Sequence, residues 1–151
     1  MSIQYQWLLG PIQMAKKRAY KAQCNGNDFV IILNNNLTVE LNDYAITKLC
    51  NRDQGIGADG LLLINPQVDG YDFQMDYYNN DGSWETMCAN GALCIIKLLQ
   101  SKEHNFKHNK FLAGDGGHQL NIERDTLSIR MKAPTFKTES IDVAGCVGIH
   151  V

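Results

Sequence analysis

Tyr77-Tyr78-Asn79-Asn80-Asp81-Gly82-Ser83-Trp84-Glu85-Thr86-Met87-Cys88-Ala89-Asn90-Gly91-Ala92-Leu93-Cys94 carries a strand into a tight turn, then into a cysteine, then into an apolar helical run. From Tyr71 to Tyr78, Phe73, Met75 and Tyr77 alternate with Asp72, Gln74 and Asp76, the period of a half-buried strand. Asn80-Asp81-Gly82 is turn chemistry. Beyond it, Leu93, Ile96 and Leu99 follow a helical period, and Ala92, Ile95 and Leu98 fill the neighbouring positions. The helix from Ala89 to about Ser101 is therefore apolar nearly all round and belongs inside the fold. Cys88 then stands where that helix starts. Backbone N–H groups there lack intrahelical partners and the local potential is positive. A thiol so placed is expected to lose its proton more readily than a free one, and to act as a base or nucleophile near neutral pH.

Working outward, Arg18 to Gln23 reads as a short strand, and Cys24-Asn25-Gly26-Asn27-Asp28 as a turn rich in residues that tolerate positive φ. Phe29 to Leu33 is an apolar, β-branched run, the pattern of a buried strand. Asn42 is placed to cap a helix through Cys50, with Ala45, Ile46, Leu49 and Cys50 on one face. Asn51 to Asp59 is a loop, and Gly60 to Ile64 a further strand. Residues 102 to 110 are polar and loop-like. Phe111 to Ala113, Gln119 to Glu123 and Leu127 to Met131 complete the strands, with turns at Gly114 to Gly117 and Arg124-Asp125. Many short strands around one apolar helix predict an α+β domain: mixed, mostly antiparallel strands wrapped around a buried central helix.

The chain has 151 residues, the size of one domain, and its apolar fraction of 44% argues for a packed core. Net charge is −2 with dispersed Lys and Arg, which gives no footprint for nucleic acid. No apolar run reaches the length of a membrane span. Met1 to Gln13 lacks the charged start and apolar centre of a signal peptide. The five cysteines are an odd count; with no such signal they read as reduced thiols in a cytoplasm. Residues 1–15 are expected to be a disordered extension. Residues 16–140 are expected to form the domain. Residues 141–151 read as a chain entering another strand.

Four blocks together resemble the diaminopimelate epimerase family. They are Gly26-Asn27-Asp28-Phe29-Val30, Gly55-Ile56-Gly57-Ala58-Asp59-Gly60-Leu61, Tyr78-Asn79-Asn80-Asp81-Gly82-Ser83, and Met87-Cys88-Ala89-Asn90-Gly91-Ala92-Leu93-Cys94. Each alone is weak; in this order and at these spacings they are specific. The resemblance covers about residues 18 to 132, corresponding to the family's N-terminal domain. It implies a cofactor-independent isomerase in which one thiolate removes the α-proton of an amino acid and a thiol on the opposite face returns one. The α-proton is very weakly acidic, so such a site must be dry and polarised. By this resemblance Cys88 is one of the two acid/base thiols, Asn27 and Asn79 hold substrate, and the backbone of Ala89 and Asn90 contacts it. Asn offers a donor and an acceptor without competing for the proton, and a helix N-terminus suits the substrate carboxylate.

The chain departs from the family pattern at several positions. Ala89 replaces the usual Gly and Leu93 an expected Arg. Cys24 and Asn25 stand where the family's first loop begins with a glycine, and Gly60 where some members carry a substrate-contacting Gln. The second domain's catalytic Cys and Glu-Arg-Gly block do not occur. Glu123-Arg124-Asp125 falls in a β-turn, and the surroundings of Cys146 do not fit. The sequence thus reads as half of an epimerase acting on LL- and meso-diaminopimelate, for lysine and cell-wall precursors. Its partner is a separate C-terminal half, or a second copy presenting Cys88 from the other side. A non-catalytic remnant, or a racemase for another amino acid, is the competing reading.

Simpler readings hold elsewhere. Cys50 and Cys94 fall on apolar helical faces and read as small buried hydrophobes, as do Cys24 and Cys146. Gly55 and Gly57 lack the helix and lysine of a phosphate loop. Cys88 and Cys94 are too widely spaced for a zinc knuckle, so no metal is assigned.

Overall fold

The computed structural model describes residues 18–35, 39, 41–66, 68–123, 126–133, 140–143 and 146–149. The extension expected over 1–15 lies outside them. Strands β1 (Ala19–Cys24) and β2 (Asn27–Leu33) form an antiparallel hairpin in which Cys24 pairs with Asn27. Its two turn residues, Asn25 and Gly26, have φ of 54° and 82°. Tight hairpins need positive φ at both central residues, and Asn-Gly supplies it at low cost.

Helix α1 (Asp43–Cys50) opens on Asn42, whose Oδ1 accepts the Ala45 N–H at 2.9 Å. Strand β3 (Gly60–Pro66) pairs parallel with β2, and β4 (Phe73–Asn79) antiparallel with β3. A two-residue strand, β5 (Trp84–Glu85), folds back on the end of β4, too short to show in the residue pattern. Helix α2 (Ala89–Gln100) follows. Then come β6 (Lys110–Ala113), parallel to β4, and the antiparallel strands β7 (Gly116–Ile122) and β8 (Leu127–Arg130). The sheet order is β1-β2-β3-β4-β6-β7-β8, with β5 on β4. Strand β7 starts three residues before the Gln119 read from the sequence, because its pairing with β6 runs back to Gly116 opposite Ala113. Strands β9 (Ser140–Val143) and β10 (Cys146–Ile149) pair with each other as a separate two-stranded sheet.

Strands β2 and β3 are buried on both faces, which is why they read as unbroken apolar runs. Phe29, Ile31, Leu62 and Ile64 pack into one cluster with α2 residues Ala92, Cys94, Ile95, Ile96 and Leu99. Val30, Ile32, Leu61 and Leu63 face the other way, onto Ile46, Leu49 and Cys50 of α1. Each such side chain, fully buried, contributes about 1.5–3 kcal/mol. Helix α2 touches β1, β2 and β8, so both edge strands of the curled sheet lean on it. The α+β architecture with a central helix is as expected. The wrap is open on one side: Leu93, Leu98 and Gln100 are half-buried and Lys97 is exposed. Gly91 lets the start of α2 sit on β3. A Cβ there would lie 2.9 Å from a Leu62 methyl.

Candidate active site

Three strand ends meet at one rim of the sheet. Asn27 begins β2, Gly60 begins β3, and Asn79 ends β4. Gly60 pairs with Phe29 on one side and Asn79 on the other. The chain then turns through Asp81-Gly82-Ser83, passes β5, and enters α2 beside Asn27. Gly82 makes that turn with φ 92° and packs against Asp43 at the start of α1.

Cys88 is the N-cap of α2. Its Sγ accepts the Gly91 N–H at 3.4 Å, and its S–H is directed at Asn27 Oδ1, 3.9 Å away. The thiol is half-buried. Burial pushes its pKa up, while the Gly91 and Asn90 N–H groups pull it down; the neighbouring Cys24 adds to the rise. The net direction is upward, which corrects the expectation of an easily lost proton. A cap position does bring N–H groups to the sulfur, but desolvation of a thiolate in this half-dry corner outweighs them. Cys88 therefore rests as a thiol.

The other site residues read from the sequence lie around it. Ala89 and Asn90 form the first turn of α2, whose N–H groups have no intrahelical acceptors. Asn90 Oδ1 accepts from Asn25 Nδ2 at 3.2 Å, which ties the hairpin tip to the helix start. Asn79 has no hydrogen bond to Cys88. Its Oδ1 accepts the Tyr77 hydroxyl at 2.7 Å, and its Nδ2 donates to Ser83 Oγ at 3.1 Å and Glu85 Oε1 at 3.4 Å. Tyr77 and Cys88 both pack against the core cluster around α2.

Sequence reasoning missed the charged support behind Asn27. Asn27 Nδ2 donates to Asp59 Oδ2 at 3.0 Å, and the Asp28 N–H donates to the same oxygen at 3.0 Å. Asp59 N–H returns a bond to Asp28 Oδ1 at 2.9 Å. Arg52 grips Asp28 with both Nη atoms, at 3.0 and 2.9 Å, and reaches Asp59 Oδ1 at 2.8 Å. Lys21 meets Asp28 at 2.7 Å. Arg52 holds the Asp28 carboxyl well below the usual carboxylate range. The Asn27 side chain and the Asp28 N–H lower Asp59. The signal was present, since Asp28 and Asp59 sit inside two of the four blocks, but charge at a turn is commonplace and Arg52 lies outside them.

Burial raises Cys50 and Cys94 to about 11, as befits inert thiols in the core. Cys24 is half-buried. Cys146 lies in β10, its side chain outside the described residues. Among the described residues no group of three His, Cys, Asp or Glu is arranged to hold a metal ion, and no helix is long and apolar enough to cross a membrane.

The family model for diaminopimelate epimerase matches residues 19–136. A diaminopimelate epimerase of Flavobacterium psychrophilum is 44% identical over 120 residues, which cover 76% of this chain and 45% of that relative. A chloroplastic diaminopimelate epimerase of Oryza sativa subsp. japonica is 32% identical over 137 residues, covering 80% of this chain and 39% of the relative. The chain thus spans less than half the length of these relatives. Among solved structures, a Bacillus anthracis phenazine biosynthesis protein of the PhzF family superposes with a TM-score of 0.54 at 18% identity, over 79% of this chain and 41% of that one. At that identity the likeness concerns the fold alone.

Proposed function

The chain belongs to the diaminopimelate epimerase family, and from that premise we propose that Cys88 exchanges the α-proton of diaminopimelate, as one of two thiols that interconvert the LL and meso forms. The observation that carries this reading is the placement of Cys88 Sγ at the cap of α2, between the Gly91 N–H and Asn27 Oδ1. The N–H groups of Ala89 and Asn90, which have no acceptor within the helix, suit the substrate carboxylate, and that anion then sits on the positive end of the helix. Asn27 and Asn79 present amides to the substrate's polar groups.

In the forward step the Cys88 thiolate takes the α-proton. The C–H bond breaks, an S–H bond forms, and the electron pair stays on the α-carbon beside the helix-bound carboxylate. A thiol on the opposite face then gives its proton to that carbon. The second half-domain of the family's enzymes is where this thiol belongs, and residues 141–151 are proposed to lead towards it, with residues 16–140 as the first half. A second copy of this chain is the alternative source. The chemistry is carried by the thiols alone, with no cofactor in the scheme, and the reduced state it needs fits a cytoplasmic setting.

A thiolate at Cys88 is unfavourable in the free domain, because burial raises its pKa. That observation favours the rival reading, a non-catalytic half that only binds. Deuterium incorporation at the α-carbon of LL-diaminopimelate in D₂O separates the two, with the chain mixed with the C-terminal half of a related epimerase. Exchange that disappears on Cys88→Ala supports the thiol's role. No exchange with both halves folded and associated sinks it.

A further inference from the structure

We propose that Asp59 is the positioning residue of this site: it fixes the side-chain amide of Asn27 with the oxygen facing Cys88 and the nitrogen facing away. The inference rests on the reading of Cys88 as an acid/base thiol and adds to it a group that, beside burial, favours its protonated form. The geometry is a chain of three contacts. Asn27 Nδ2 donates to Asp59 Oδ2 at 3.0 Å, Asn27 Oδ1 faces Cys88 Sγ at 3.9 Å, and Arg52 Nη2 holds the other Asp59 oxygen at 2.8 Å. An ionised carboxylate only accepts. It therefore selects the amide nitrogen and forces the amide oxygen towards the sulfur. An amide oxygen accepts from S–H but repels a thiolate, so this orientation holds Cys88 in its protonated form.

The converse orientation would aim N–H at the sulfur and favour the thiolate. A substrate that draws Asn27 away from Asp59, or rotates it, would release the base where it is needed. Asp59 does this without touching the reacting atoms. The other titratable groups around the sulfur are Cys24 at the end of β1, Tyr77 on β4 and Cys94 on α2. None of the three has a hydrogen bond to Asn27 among the described residues.

The test is the pH profile of Cys88 alkylation by iodoacetamide, located by peptide mass, which needs no substrate. Asp59→Ala frees the amide to turn its nitrogen to the sulfur. The profile is then expected to move down by about one pH unit. At neutral pH that gives ~10-fold more thiolate but only ~3-fold faster alkylation, because nucleophilicity falls with pKa. Asp59→Asn keeps an oxygen for Asn27 to bond and is expected to leave the profile where it is. In an Asn27→Ala background Asp59→Ala should have no further effect.

An unchanged profile in Asp59→Ala overturns the proposal. So does an equal shift in Asp59→Asn, or in the Asn27→Ala background, either of which would make it a charge effect. Should Asp59→Ala not fold, the side-chain amide protons of Asn27 in the ¹⁵N-labelled native protein decide. They are expected to shift as Asp59 titrates in acid. Movement with the Cys88 titration instead would place the nitrogen on the sulfur and end the argument. The expected downward shift in Asp59→Ala, found without deuterium exchange by the two halves, would count against the epimerase reading and leave the role of Asp59 standing.

Discussion

Tyr77 occupies the space a side chain at Gly60 would need. A Cβ on Gly60 would fall 2.7 Å from Tyr77 Cε2 and 2.6 Å from the Tyr78 carbonyl oxygen. The ring lies over the bare backbone of β3, and its hydroxyl reaches Asn79 Oδ1 at 2.7 Å. Aromatic cover of a strand glycine is a known stabilising pairing. Here it also orients an amide proposed to meet substrate. Gly60→Ala should therefore displace the ring and cost about 1–3 kcal/mol, as overpacking does, read from the midpoint of urea denaturation. A cost near zero would show that the strand end yields freely.

Tyr77→Phe keeps the cover and removes the hydroxyl. Stability should fall by about 0.5–1.5 kcal/mol. The sharper effect is expected on Asn79, whose amide loses the donor that fixes its oxygen. In the two-half assay, KM for diaminopimelate should rise more than kcat falls. Equal loss in both, or none, would detach Tyr77 from binding.

The acid limb of the stability curve should depend on Arg52. Asp28 is held below its ordinary value by the Arg52 guanidinium first of all, so the folded chain keeps this carboxylate ionised where the unfolded chain binds a proton. The stabilisation is then fully present above about pH 4. It declines as pH falls from there through the depressed folded value. Arg52→Met should move the acid-unfolding midpoint to higher pH and lower stability at pH 7 by the same modest amount, since the stabilisation is present there in full and the guanidinium is largely exposed. An unchanged acid midpoint would mean that the bidentate pair does not persist in solution.

Cys88 should alkylate more slowly than a free thiol at pH 7.5, with a midpoint above the ordinary value, because burial raises it. Cys50 and Cys94, raised to about 11, should stay unmodified until the chain unfolds. Rapid labelling of Cys88 at neutral pH would restore the view that the helix N-terminus dominates.

The sequence was most legible where local and long-range demands agree. The Asn25-Gly26 turn, the Asn42 cap and the double-sided apolar runs of β2 and β3 each carry their own signal, and the structure uses each as that signal suggests. Cys88, Asn27 and Asn90 converge because the four blocks fix the turns that bring them to the rim. What stayed hidden depends on packing. The proton affinity of Cys88 is set by how much water the fold removes from the sulfur, which spacing does not report. Strand β5 is two residues long, too short for any period to register. The Arg52 clamp joins residues 24 apart in sequence through charges that look like ordinary loop polarity.

The rim also has a temporal meaning. Its residues come from the starts of β2 and β3, the end of β4 and the cap of α2, and Asn27 and Cys88 are 61 positions apart. Contacts so distant in sequence are slow to form, because the loops between them must close first. No early, locally ordered species can contain the assembled rim. The shielding of Cys88 from alkylation is therefore a clock for completion of the domain, and it should appear only in the last kinetic phase of refolding.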